Sequence, residues 1–258
     1  MRYYKILPKD LICLDFQYHE GLNVDKHKID DKEYGYGLSF SDADHVVGFC
    51  YLPDCFIIAE VEIPDDAIVY HFDGHSKADK IIMKNLRPFW SVDTIEALIR
   101  EGVPIKLHMN DILCAATKKG YLEAVEYLVG QGADIHWKNE EPICSACYGG
   151  HLEVVKFLVG QGADIHSRLD LPICLASKGG YLEVVKFLMG QGADIHSRQD
   201  WSICLASEGG YLEVVKFLVE QGADVNKAWV YVTWAVDPVP LDVEDYLAEC
   251  FWERYCHD

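Results

Sequence analysis

Between residues 151 and 162 the string HLEVVKFLVGQG sets apolar side chains at Leu152, Val154, Val155, Leu158 and Val159, and charged ones at Glu153 and Lys156. Spacings of three and four gather the apolar group on one broad stripe of a helix and turn the charges outward. Gly162 closes the pattern, as a residue able to adopt the left-handed conformation should at a helix C-terminus. A shorter helical stretch, ICSACY, precedes it. That stretch follows the turn-like Asn139-Glu140-Glu141-Pro142 and breaks at Gly149-Gly150, and Pro142 suits a first helical turn. Nearly the same paragraph returns at residues 179–200 and again from Gly209, a period of thirty. Two helices this short cannot cover their own apolar stripe, so neighbouring copies must do it. Each large side chain buried contributes about 1.5–3 kcal/mol, which makes the array stable only as an array. The predicted architecture is a solenoid.

Residues 92–102 match the second helix and its glycine stop, in phase with Gly132, so the array opens on half a unit and four full copies follow to about Ala228. From Trp229 two helical stretches remain, but the Gly-Gly and Gly-Ala-Asp marks are lost. Residues 229–258 hold seven acidic residues against one Arg, which reads as a water-facing cap with Phe251 and Trp252 packed inward. Positions that vary between in-phase copies should lie outside the shared core. They are Trp137, Ser167, Ser197 and Lys227; Glu141, Leu171 and Trp201; and Lys118, Tyr148, Lys178 and Glu208. These are expected to line one face, with Trp137, Tyr148, Leu169, Lys178, Trp201 and Glu208 as candidate protein contacts, because aromatic anchors dominate interfaces. The alternative is that Trp137 and Trp201 cover gaps between short turns.

The unit resembles the ankyrin repeat. Pro142-Ile143-Cys144-Ser145-Ala146, Gly150-His151, Val154-Val155, Leu158-Val159 and Gly162-Ala163-Asp164-Ile165-His166 stand where that family has T-P-L-H-x-A, G-H, V-V-x-x-L-L and G-A-D-V-N. The resemblance spans about residues 91–228. It implies a mainly α solenoid that recognises proteins. Two features depart from the family. The unit is thirty residues rather than 33, with the shortage between His166 and Pro172, so clipped hairpin fingers are expected. Cys144 also replaces the family's His, which leaves the first helix held by apolar packing.

Residues 1–90 lack the thirty-residue phase. CFIIAEVEI (residues 55–63) and AIVYHF (residues 67–72) read as strands around the turn Pro64-Asp65-Asp66. Ser41-Asp42-Ala43-Asp44 reads as a helix start, Lys80-Ile81-Ile82-Met83 as a closing strand, and residues 86–90 as a joint. The predicted unit is a small α+β domain. Residues 16–25, 36–46 and 77–83 resemble the module ahead of ankyrin arrays in giant amoeba-infecting viruses of the mimivirus type. EGLNVD and YGYGLSFSDADH are similar to segments of ADP-ribosyltransferases of the poly-ADP-ribose-polymerase type. The upstream His and late Glu that this resemblance requires are absent, His19 being the first His. Residues 6–11 faintly resemble an F-box start, which would imply recruitment of a ubiquitin ligase. His45, Cys50, Cys55 and His71 are spaced too loosely for a zinc finger or ribbon. His136, His166 and His196 stand at turn positions. No P-loop or nucleophile elbow is present.

Composition narrows the partners. Against 42 Asp plus Glu stand 23 Lys plus Arg, a net charge of −19, which repels nucleic-acid phosphates and anionic membranes. The first ten residues hold no apolar signal core and no run approaches a membrane span, so an intracellular protein is expected, in the host cytoplasm if the viral resemblance holds. Cys114, Cys144, Cys174 and Cys204 recur at thirty-residue intervals. Stacked helices lie about 8–10 Å apart, beyond the roughly 7 Å Cα separation a disulfide allows, so these thiols should be free. The expectation is a monomeric, non-enzymatic adaptor without metal or cofactor. Its domains would be 1–90, 91–228 and 229–258. The enzyme head and the ligase adaptor are the alternatives.

Overall fold

The computed structural model describes the chain except at residues 1, 14–15, 28, 30, 33–36, 52–55, 235–238 and 256–258. It forms two compact units, Met1–Ala115 and Ala116–Asp258.

The first unit is built on strands β1 (Tyr3–Leu7), β2 (Ile12–Cys13), β3 (Phe16–Gln17), β4 (Gly21–Val24), β5 (Leu38–Asp42), β6 (Ile57–Glu62), β7 (Val69–His71), β8 (Ser76–Ala78) and β9 (Lys80–Pro88). Strands β2 and β3 form a small hairpin. The other seven make one antiparallel sheet in the order β4-β9-β6-β1-β5-β8-β7. Strands β8 and β9 are halves of one segment bent at Asp79, so the run β9-β6-β1-β5-β8 returns to the segment from which it began. Asp79 ties both flanking strands to that bend. Its carbonyl accepts from Asp25 N–H (2.8 Å), its N–H donates to Ile68 O (3.1 Å), and its carboxylate accepts from Ile68 N–H (2.8 Å). Leu7, Leu38, Phe40, Val61, Ile81 and Met83 fill the interior.

Two local expectations for this unit are corrected. Ser41 and Asp42 end strand β5 rather than begin an α-helix. The Asp42 carboxylate accepts from the N–H groups of Asp44 (3.1 Å) and His45 (3.0 Å), and only a 3₁₀ turn follows, at Val46–Tyr51. Residues 86–88 are strand rather than joint. Pro88 pairs with Ile57, and Phe89 N–H reaches Phe56 O at 2.8 Å, because Phe89 and Trp90 are themselves buried. The half unit is helix α1 (Val92–Glu101), capped by Ser91, whose hydroxyl accepts from Thr94 N–H (3.2 Å), and closed by left-handed Gly102. Arg87 on β9 grips Glu101 with two hydrogen bonds of 2.7 and 3.0 Å, and Tyr4 Oη donates to the same carboxylate at 3.2 Å. Helix α1 is thereby fastened to the sheet. A 3₁₀ turn (Ile105–His108) and α2 (Met109–Lys119) follow.

The second unit continues with α3 (Leu122–Gly130), α4 (Trp137–Gly149), α5 (Leu152–Gly160), α6 (Ser167–Lys178), α7 (Leu182–Gly190), α8 (Ser197–Glu208), α9 (Leu212–Glu220), α10 (Val225–Thr233) and α11 (Leu241–Tyr255). Helices α4, α6, α8 and α10 pack side by side as one layer, α3, α5, α7 and α9 as a second, and α11 lies against α10 and α9. Helices α5, α7 and α9 bury the same triplet, as in Val154, Val155 and Leu158, and α3 has Ala124 in the first place; the Glu–Lys pairs of α5, α7 and α9 lie on the other side, as in the 2.7 Å pair of Glu153 with Lys156. Cys114, Cys144, Cys174 and Cys204 are buried thiols outside any disulfide. After the last repeat, α11 turns Val243 and Leu247 inward, and Phe251 stacks on Trp229 at 5.9 Å. Trp252, expected inside, is 60% exposed, because the next residue along falls on the outer side of that helix.

The glycine pairs do more than break helices. A Cβ at Gly180, where φ is +74°, would stand 2.2 Å from the Tyr211 ring of the next copy, and one at Gly179 would stand 2.2 Å from Tyr181 of its own. Each aromatic side chain therefore lies against bare backbone of two successive copies. Gly180→Ala is expected to lower stability by about 2–4 kcal/mol through left-handed strain plus overpacking, read from urea unfolding. Gly192→Ala, also left-handed but facing open space, should lose only the smaller conformational share.

Candidate protein-binding face

The thirty-residue unit leaves no hairpin between copies. Three consecutive left-handed residues make the turn instead: Lys138, Asn139 and Glu140; then Arg168, Leu169 and Asp170; then Arg198, Gln199 and Asp200. The expected clipped hairpin is therefore a left-handed coil. For residues other than Gly this conformation costs roughly 1–2 kcal/mol each, so something must hold it. The first support is local. His136, His166 and His196 set Nδ1 against Glu140, Asp170 and Asp200, at 2.8 Å in the latter two. The recurring histidines thus serve the turn. The second support comes from the next copy. Asp170 accepts from Asp194 N–H (3.1 Å) and Ser197 Oγ (2.7 Å), and Asp200 accepts from Asp224 N–H (3.1 Å). Arginine adds a third, as Arg168 donates to Lys138 O, and Arg198 to Arg168 O at 2.6 Å. These carboxylates are all buried. Periodic reading of the apolar stripe missed them, although acidic residues recurring at 140, 170 and 200 were visible.

On this frame the six candidates fall into two groups. Trp137, Leu169 and Trp201 sit at the turns, Leu169 being 69% exposed and the two Trp half-buried. Lys138 Nζ lies 5.6 Å from the Trp137 ring, and the Arg198 guanidinium 5.2 Å from Trp201. Tyr148, Lys178 and Glu208 are exposed at the glycine-pair ends of the same helices, and Lys118 Nζ lies 5.5 Å over the Tyr148 ring. Residues 141 and 148, 171 and 178, and 201 and 208 are seven apart, two helical turns on one face. Between them lie Ser145 and Leu175, both half-buried, and Leu205, which is buried. Leu175 is a surface contributor that the comparison of copies passed over, although its in-phase counterparts are Ala115, Ser145 and Leu205.

The remaining candidates do not gather. His45 bonds to Asp42 (2.7 Å) and His71 to Ser76 Oγ (2.8 Å), Cys50 is buried, and Cys55 lies outside the described residues. Among the described residues no group of three or more His, Cys, Asp or Glu is placed to hold a metal ion. His19 Nδ1 lies 2.8 Å from Glu20 O. Burial pushes the Cys144 thiol up to about 11 and Cys147 well above the ordinary value, so both are protonated packing residues. An unforeseen group in the first unit is Lys5. Its buried ammonium donates to Ser39 O (2.6 Å) and Ser39 Oγ (3.2 Å), lies 4.5 Å from the Tyr18 ring, and is lowered by burial to about 8.

Stacked helix pairs with a shared interior, reiterated turns and a differently decorated outer stripe define a helical-repeat recognition protein. A family model described as Ankyrin repeats (3 copies) matches residues 90–169 and 143–228, more than half of the chain, and the protein belongs to that family. No curated protein matches it. Among the described residues no helix is long and apolar enough to cross a membrane.

Two predictions follow from the turns. Glu140 is one methylene longer than Asp170, its Oε2 has no hydrogen-bond partner, and Ser167 Oγ, which occupies the place of Ser197, has none either. Glu140→Asp should join these two and stabilise the array by about 1–3 kcal/mol, the cost of leaving such groups unsatisfied, seen as a higher urea midpoint. The second concerns pH. Burial alone would raise Asp170, but Ser197, Asp194 N–H and His166 hold it below its ordinary 3.8. Its contribution is complete above 3.8 and is lost as pH falls through the lower folded value. The hydrogen bond to Glu140 raises His136 above 6.5, partly offset by desolvation. That contribution is present below 6.5 and is lost as pH rises through the raised value. Urea midpoints should therefore fall at both ends, with Asp170→Asn flattening the acid limb and His136→Gln the other.

Proposed function

We propose that this protein is a non-enzymatic adaptor in which residues 91–228 hold a protein partner, residues 1–90 form the head and residues 229–258 the cap. One observation carries the reading. The buried triplets, glycine pairs and turn carboxylates recur from copy to copy, while the stripe at 141, 171 and 201 reads Glu, Leu, Trp and that at 148, 178 and 208 reads Tyr, Lys, Glu. Repetition inside and variation outside is how a rigid frame presents a specific surface. Trp137, Tyr148, Leu169, Lys178, Trp201 and Glu208 are the proposed contacts, with the aromatic residues as anchors. The resemblance of the head to giant-virus modules supports action on a host protein inside the infected cell, and the chain is taken to act as a monomer.

Affinity purification from infected cells, comparing the native chain with Trp137→Ala plus Trp201→Ala, tests the face. Loss of at least ten-fold in recovery of a specific partner is expected, and equal recovery of every partner would refute it. Incubation with labelled NAD and host lysate addresses the enzyme alternative. Label transfer abolished by substitutions in the head would overturn the adaptor reading.

A further inference from the structure

A helix pair whose outer side meets only water is expected to expose mostly polar side chains. Helices α10 and α11 expose large apolar ones among their acidic ones. Trp234, at the end of α10, is 84% exposed, Leu241 at the start of α11 is 75% exposed, and Trp252 near its end is 60% exposed. On α11 the spacing 241, 245, 249, 252 places Asp245 and Glu249 between the two apolar side chains along one outer stripe. On α10 the residues Val230, Tyr231 and Trp234 are exposed together. The two helices pack on each other, and the outer face of α10 adjoins the proposed binding face, since Tyr231 Oη lies 3.4 Å from Glu208 Oε2.

From this we infer that the cap is itself a docking surface, and that its occupant is a cationic amphipathic segment of the partner protein, with apolar side chains for the Trp and Leu positions and Lys or Arg for the acidic stripe. Charge selects this occupant. A second copy would bring −19 against −19 and set the acidic stripe beside other acid, which like-charge repulsion disfavours. The inference rests on the adaptor reading and names the partner's chemistry.

The test titrates the full chain with a fluorescein-labelled 18-residue Leu/Lys amphipathic peptide and with its Leu/Glu counterpart. Saturable binding of the cationic peptide is expected, weakening as salt is raised, with the anionic peptide at least ten-fold weaker. Trp234→Ser plus Trp252→Ser should reduce cationic binding at least ten-fold while leaving the melting temperature unchanged. Equal binding of both peptides, insensitivity to the double substitution, or a lowered melting temperature would overturn the inference. So would a concentration-dependent dimer in sedimentation that Trp234→Ser abolishes. Trp137→Ala plus Trp201→Ala is titrated in parallel. Loss only in that variant, or loss in neither, removes the cap inference and leaves the adaptor face to be judged by recovery of partners from infected cells.

Discussion

Thirty residues per unit is too few for a helix pair and a hairpin, and the edge of the array is shaped by that shortage. The chain reverses through three left-handed residues, none of them Gly. A turn so strained exposes its carbonyls and brings a carboxylate under cover, and both would be costly if left alone. The following copy supplies what they lack, through an arginine for the carbonyl and N–H or hydroxyl donors for the carboxylate. Local strain is thus exchanged for bonds between copies, and a turn that would be unfavourable in isolation becomes a fastening. At the opposite end of each first helix, bare glycine backbone receives an aromatic ring. Every first-layer helix in the array's interior is therefore held to its neighbours at both ends, and its outer face remains available to carry side chains chosen for other reasons.

Most of the array was legible because its physics is periodic. Apolar spacing of three and four marks helix faces, Gly162 and its counterparts mark the stops, and the thirty-residue recurrence of Cys144 excludes a disulfide framework. The turn was not legible in this way. Neither Arg168 nor Leu169 favours the left-handed region, and the turn is held by the bond of His166 to Asp170 together with bonds to residues 24 to 30 positions away. Trp252 shows the same limit. Its character argued for burial, but helical register decides the matter, and a register error of one residue moves a side chain from core to solvent.

The first unit was readable only in pieces. Strands β6 and β7 stood out because β-branched residues flank a proline turn, and the closing strand was recognised at its start. Its continuation to Pro88 depends on pairing with β6, a partner more than twenty residues away along the chain. The bend at Asp79 and the position of Lys5 likewise come from tertiary arrangement. The candidate face lay between these extremes: variation among copies located its two rows, while the half-buried Leu175 between them emerged only from coordinates.

The bonds that fasten one turn to another copy reach the next copy at fixed offsets of 24 to 30 residues, and none of those described skips one. A duplicated unit slipped between two existing ones would meet the same donors and acceptors on either side. Lengthening or shortening the array by whole units therefore needs no compensating change within it, and the lineage could alter the reach of its recognition surface by recombination alone, without first redesigning any joint.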